Sequence, residues 1–195
     1  MQELGHKVMP AYGLIPPNLP GALAEGLDPV PAADVNAPAS IVLHYNENNG
    51  LHRQTAEYIQ RKMRAHHVSI TIQPLSHEQF YEHLLGQKST AILAGKGLDY
   101  PDGMANLTYF RTDVKNHFLF MENDSLNRDL ANLAFLKSED RPQAYHEMQK
   151  RILAQRTILP LFFGHTTSGL WSARIRSVPS HPFGFQFLKM DEVQR

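Results

Sequence analysis

Ile41-Val42-Leu43-His44-Tyr45, Val68-Ser69-Ile70-Thr71-Ile72 and Thr90-Ala91-Ile92-Leu93-Ala94 decide the fold of this chain. Each run has the length of a strand and is rich in β-branched or apolar residues, and the second alternates apolar and polar side chains. Between the first two, Leu51, Thr55, Ile59 and Met63 recur every four residues with Tyr58 beside them, the stripe of an amphipathic helix. Arg53, Glu57, Arg61, Lys62 and Arg64 occupy its other face. Between the second and third, Ser76 and Gln79 have the spacing of a capping box, and Phe80, Leu84 and Leu85 are expected to form the buried side of a second helix that stops at Gly86. A β-α-β-α-β succession calls for parallel strands joined by crossover helices.

Outside residues 41–94 the texture changes. Seven of the thirteen prolines lie between Pro10 and Pro38, with Gly13, Gly21 and Gly26 among them. Proline fixes φ and lacks an amide donor, so residues 1–40 are expected to run extended over the surface. Residues 41–195 are expected to form one α/β unit. Helical patterns follow the third strand: Leu126, Leu130, Leu133 and Ala134 on one face, then Tyr145, Met148 and Ile152 on a helix opened by Asp140 and Pro142. Ile158 to Phe163 is expected as a strand pushed to an edge or a bend by Pro160; Leu170-Trp171 is expected as a short strand and Phe183 to Leu188 as an aromatic C-terminal segment.

The composition narrows the function classes. The chain has 195 residues, 42% apolar and 19% charged, with 19 basic and 19 acidic side chains and a formal net charge of zero. Duplex nucleic acid is bound chiefly by neutralising phosphates, and a neutral chain is poorly built for that or for an anionic membrane surface. No cysteine is present, which removes disulfides, thiol nucleophiles and thiolate metal ligands. No apolar run approaches the roughly 20 residues of a membrane span. The start, Met1 to Lys7, has no signal-peptide apolar core, and the chain is expected to be part of something longer.

No catalytic or metal pattern emerges. Eleven histidines are many, but His77-Glu78 is followed by Tyr81 where a helical zinc-hydrolase motif needs histidine. His83 stands about 240° around a helix from His77. His66-His67 is expected to close a helix, where a partly charged imidazole suits the dipole. Gly86-Gln87-Lys88-Ser89 and Gly95-Lys96-Gly97 lack the spacings of phosphate-binding loops. Asp99 and Asp102 lie close in sequence, with no evident partner group for acid–base work. No enzyme, cofactor or metal is expected.

The position of one loop does single it out. In open α/β sheets ligands bind beyond the carboxyl ends of the strands, and Gly95 to Gly103 follows the third strand directly. Lys96, Gly97, Asp99 and Tyr100 are the candidate ligand-binding residues. Gly97 allows close backbone approach, Asp99 can hold an ammonium, and Tyr100 offers a ring.

Pro10-Ala11-Tyr12-Gly13-Leu14-Ile15-Pro16-Pro17, then strand, helix, strand and helix, then Leu98-Asp99-Tyr100-Pro101-Asp102, Arg141 to Leu153 and Ile158-Leu159-Pro160-Leu161-Phe162 resemble the C-terminal half of family-5 ABC-transport solute-binding proteins. The resemblance runs from about Met9 to Leu188. It implies an α/β fold, one lobe of a type-II periplasmic-binding-protein-like clamshell, with a mixed sheet and flanking helices. It also implies that the partner lobe is an N-terminal part of the same protein. Within that group, Pro10 to Leu14, His52-Arg53, Leu75 to Phe80 and Ala65-His66-His67-Val68, where transporters write a glycine, look like the SgrR-type transcriptional regulators. Gly21 to Ser40 also lacks the Ala- and Leu-rich helix typical of peptide-binding members. That likeness implies a cytoplasmic effector-sensing lobe, with DNA bound by an upstream domain and a sugar phosphate as ligand. The alternative is the C-terminal lobe of a periplasmic oligopeptide-binding protein. In peptide-binding relatives the aspartate matching Asp99 holds the peptide ammonium. A tryptophan three residues earlier flanks the ligand; here that position is Lys96, which suits an anion better.

Overall fold

The computed structural model describes residues 8–26, 40–97, 100, 102–114, 117 and 123–164. Strand β1 (Val8–Pro10) leads into a proline-rich stretch, followed by β2 (Ser40–Asn46), α1 (Gly50–Arg64), β3 (Ser69–Leu75), α2 (His77–Leu85) and β4 (Ala91–Ile92). Beyond the loop come α3 (Gly103–Leu107), α4 (Asp124–Asn132), α5 (Arg141–Ala154) and β5 (Phe162–Gly164).

The three deciding runs form one parallel sheet in the order β3-β2-β4. Pro74 sits inside β3, which is tolerable because β3 is an edge strand. On one face Leu43, Tyr45, Val68, Ile70 and Leu93 close on Ala56, Ile59 and Met63 of α1. On the other, Leu75 and Ile92 meet Phe80 and Leu84 of α2. The Asn49 side chain caps α1, accepting from the amides of Leu51 and His52 at 3.1 Å each. Ser76 and Gln79 exchange both bonds of the expected capping box. Arg61, Lys62 and Arg64 crowd the last turn of α1, where the dipole favours cations. The chain leaves that helix through His67, at φ 59°, as the Val68 amide returns to the Met63 carbonyl.

Several expectations give way to packing. Leu85 is exposed, because the apolar contact of α2 with the sheet is made by Phe80 and Leu84. Ala134 is exposed in a 3-10 turn, Leu133–Phe135, that tightens the end of α4. The strand expected from Ile158 begins only at Phe162, past Pro160, and pairs antiparallel with β1. Leu170-Trp171 and Phe183 to Leu188 lie outside the described residues.

The proline-rich stretch departs most from expectation. Leu14, Ile15 and Leu23 are buried in a second core with Leu107, Phe110, Leu126, Leu130, Leu133 and the inner face of α5. Burying an isoleucine side chain contributes about 2 kcal/mol, so Ile15 anchors the segment rather than skirting the surface. Gln149, fully buried on α5, satisfies the segment's backbone. Its Oε1 accepts from the Leu14 amide at 2.9 Å, and its Nε2 donates to the Gly21 carbonyl. Gly21 takes φ +83°, and a Cβ there would lie 2.5 Å from Cβ of Tyr145. Only glycine fits that turn.

Candidate functional site

The strand order creates a crevice. From β2 the chain crosses through α1 to β3 on one side, then through α2 back past β2 to β4 on the other. The connections therefore diverge between β2 and β4, and such a switch point opens a cleft at the carboxyl ends of the strands. The Leu93 amide continues the pairing by donating to the His44 carbonyl at 2.9 Å. From Ala94 the chain leaves the sheet, and Ala94 to Gly97 are exposed at the mouth of that crevice.

Lys96 and Gly97 therefore lie where the topological argument puts them. The Lys96 ammonium stands 4.3 Å from the ring centroid of Tyr109, in the 3-10 turn Thr108–Phe110 after α3. A cation over a ring face is held electrostatically by the ring quadrupole, so this lysine has a defined direction. A Cβ on Gly97 would meet nothing within 4 Å, so the space beside its backbone is open. Tyr100 is 45% exposed. Asp99 lies outside the described residues.

Asp102 has a structural role that its sequence position did not reveal. Its Oδ1 accepts from the Met104 amide at 2.9 Å, capping α3, and its Oδ2 faces the Arg141 guanidinium at 3.4 Å. Arg141 also donates from Nε to the Leu136 carbonyl at 3.2 Å. Burial, and next the Asp102 carboxylate, push the Tyr145 phenol well above its usual range, so it stays neutral. Loop and α5 are tied together at this end.

Sequence reasoning missed two side chains at the site. Tyr109 is a distant partner brought to Lys96 only by the turn after α3. His52, in the first turn of α1, lies beside the loop: a Cβ on Gly95 would be 3.7 Å from its Nε2. Burial lowers the His52 pKa, so the neutral imidazole is favoured. The ring lies 6.2 Å from that of Phe80. The signal was available, since the helix following a strand presents its first turn to the same crevice. Among the described residues no group of three or more histidine, aspartate or glutamate side chains is arranged to hold a metal ion, and no helix is long and apolar enough to cross a membrane.

No protein-family model and no curated protein sequence matches the chain. Solved structures do share its fold. The Escherichia coli murein tripeptide binding protein MppA superposes with a TM-score of 0.69 at 16% identity, over 84% of this chain and 36% of that one. Haemophilus influenzae OppA, in complex with RPPGFSPFR, gives 0.69 at 16% identity, over 83% and 36%. A peptide ABC transporter peptide-binding protein gives 0.64 at 15% identity, over 83% of both chains. The fold is thus that of one lobe of a periplasmic-binding-protein clamshell, a mixed α/β layer structure with flanking helices. This chain spans about a third of the length of MppA and OppA.

Proposed function

We propose that this chain is a non-catalytic solute-binding lobe that takes up a peptide at the carboxyl edge of its parallel sheet, as a component of an ABC-type importer outside the cytoplasm. The observation that carries this reading is the crevice between β2 and β4, open at Gly97, on a fold shared with peptide-binding proteins. A second lobe completes the site, because a cleft between two lobes buries most of a ligand whereas one lobe supplies half the contacts. Lys96, aimed by Tyr109, receives a negative group of the ligand; Asp99 receives its ammonium; Gly97, Tyr100 and His52 line the approach.

A second reading is the effector-sensing lobe of an SgrR-like regulator, cytoplasmic and responsive to a sugar phosphate. Lys96 in the place of an aromatic wall favours it. The sequence upstream of this lobe separates the two: a signal peptide or lipoprotein cysteine supports import, a winged helix supports regulation.

The binding test is a titration of the two-lobed protein and its Lys96→Ala and Asp99→Ala variants against a tripeptide and a hexose phosphate. Peptide import predicts tight peptide binding that both substitutions weaken, by about 2–5 kcal/mol where the charge is desolvated. Sensing predicts hexose phosphate binding lost in Lys96→Ala and weakened by salt. If neither substitution changes either affinity by more than about 0.5 kcal/mol, the loop is not the site.

A further inference from the structure

On the α2 face of the sheet two imidazoles meet. His44 is buried in the central strand, cross-strand partner of Ile92, and His83 reaches it from α2. Their ring centroids are 5.0 Å apart and their planes inclined by 52°. The Nδ1 of His44 is buried and makes no hydrogen bond. A buried nitrogen of this kind forgoes the partner that nearly all buried polar groups have.

We propose that His44 and His83 form a two-imidazole site for a divalent transition metal of the zinc, nickel or copper kind. Three observations converge. The first is spacing. A ring nitrogen about 2.1 Å from a metal puts the ring centroid about 3.2 Å from it, so two rings at a tetrahedral angle have centroids about 5.2 Å apart. The observed 5.0 Å matches that separation. The second is orientation. His83 Nδ1 lies 3.0 Å from the Ser89 hydroxyl. With Nδ1–H donating there, the lone pair of His83 stands on Nε2, and metal-binding histidines are commonly held by such a bond at the other nitrogen. The third is access and charge. His83 is only half-buried, so the pair opens toward solvent. The Glu82 carboxylate, ion-paired with Lys88, is close enough to His83 to interact with it electrostatically. Imidazole suits these borderline metals and is a poor ligand for magnesium or calcium. Two protein ligands leave the other coordination positions to water, so the site is open and of modest affinity. A bound ion would join α2 to the central strand.

The test uses the whole chain, with zinc and nickel chlorides as probes and magnesium chloride as control. Zinc or nickel at a hundredfold excess over its dissociation constant should raise the unfolding midpoint by about 5 °C or more, and magnesium should not. His83→Ala should abolish the rise, and so should His44→Leu. His77→Ala, which removes an exposed imidazole on the same helix, should keep it. Half-exposed His83 can be replaced without opening the core, so this variant decides the question even if His44→Leu fails to fold. Cobalt should give a visible absorption band with the parent chain and none with His83→Ala. No rise with either metal, or a rise that survives His83→Ala, overturns the site. Neither result depends on whether the crevice binds a peptide.

Discussion

The parallel sheet with α1 and α2 and the helical layer built on α5 stabilise themselves by different routes. In the sheet, all three strands and both crossover helices come from one continuous stretch of about fifty residues, and the helices announce their buried faces by their own periodicity. In the helical layer the decisive contacts are long-range. Leu14, Ile15 and Leu23, from a stretch with no periodicity, complete a core whose other buried members lie some eighty residues or more further on. A proline-rich segment can be core when its backbone polar groups find partners, and here the Gln149 and Asn106 side chains supply them.

The sharpest way to break this comparison is to truncate one side chain from each core. Ile15→Ala and Ile70→Ala should each cost about 2–5 kcal/mol in urea unfolding, the usual loss for a buried isoleucine. If Ile15→Ala costs under about 1 kcal/mol while Ile70→Ala keeps its full effect, the leading segment is a strap and not an anchor.

Next in size are the helix caps, one in each layer. Asp102→Ala removes the cap of α3 and a partner of Arg141, and should cost about 1–2 kcal/mol. Ser76→Ala, which removes half of a capping box with no second tie, should cost about 1 kcal/mol or less. Equal losses would show that the Arg141 contact adds nothing.

The pH dependence sharpens the crevice edge of the sheet. The pKa of His52 is lower in the folded chain than the unfolded value of about 6.5, so the unfolded chain binds more protons between those two values. Stability from this residue is complete above that range and is lost as the pH falls through it. His52→Gln should flatten that part of the curve in chemical unfolding; an unchanged slope would show that the dependence arises elsewhere. The smallest effect is expected at Phe135, 86% exposed beside the helical core, where Phe135→Ser should stay within about 0.5 kcal/mol. A larger loss would mean that Phe135 is covered in solution.

The legibility of the site follows the same division. The strand-end loop could be picked out because a βαβ pattern sends ligands to one edge, and the structure puts Lys96 and Gly97 there. Tyr109 could not, since a ring thirteen residues from Lys96 acquires its place only when α3 and the 3-10 turn fold back. Asp102 read as an unassigned carboxylate, because a cap is recognised from the helix it opens, and five residues of α3 leave little pattern.

Local periodicity and capping chemistry therefore determined three parallel strands, two crossover helices and the edge at which the strand-end loop emerges. These signals survive in sequence because side-chain period and strand or helix geometry are the same fact. Tertiary structure alone decided that Ile15 is core, that Gln149 satisfies the chain around it, that Lys96 lies over Tyr109, and that His44 meets His83. Each of those depends on two segments converging from distant parts of the chain, and no local pattern records which partner arrives.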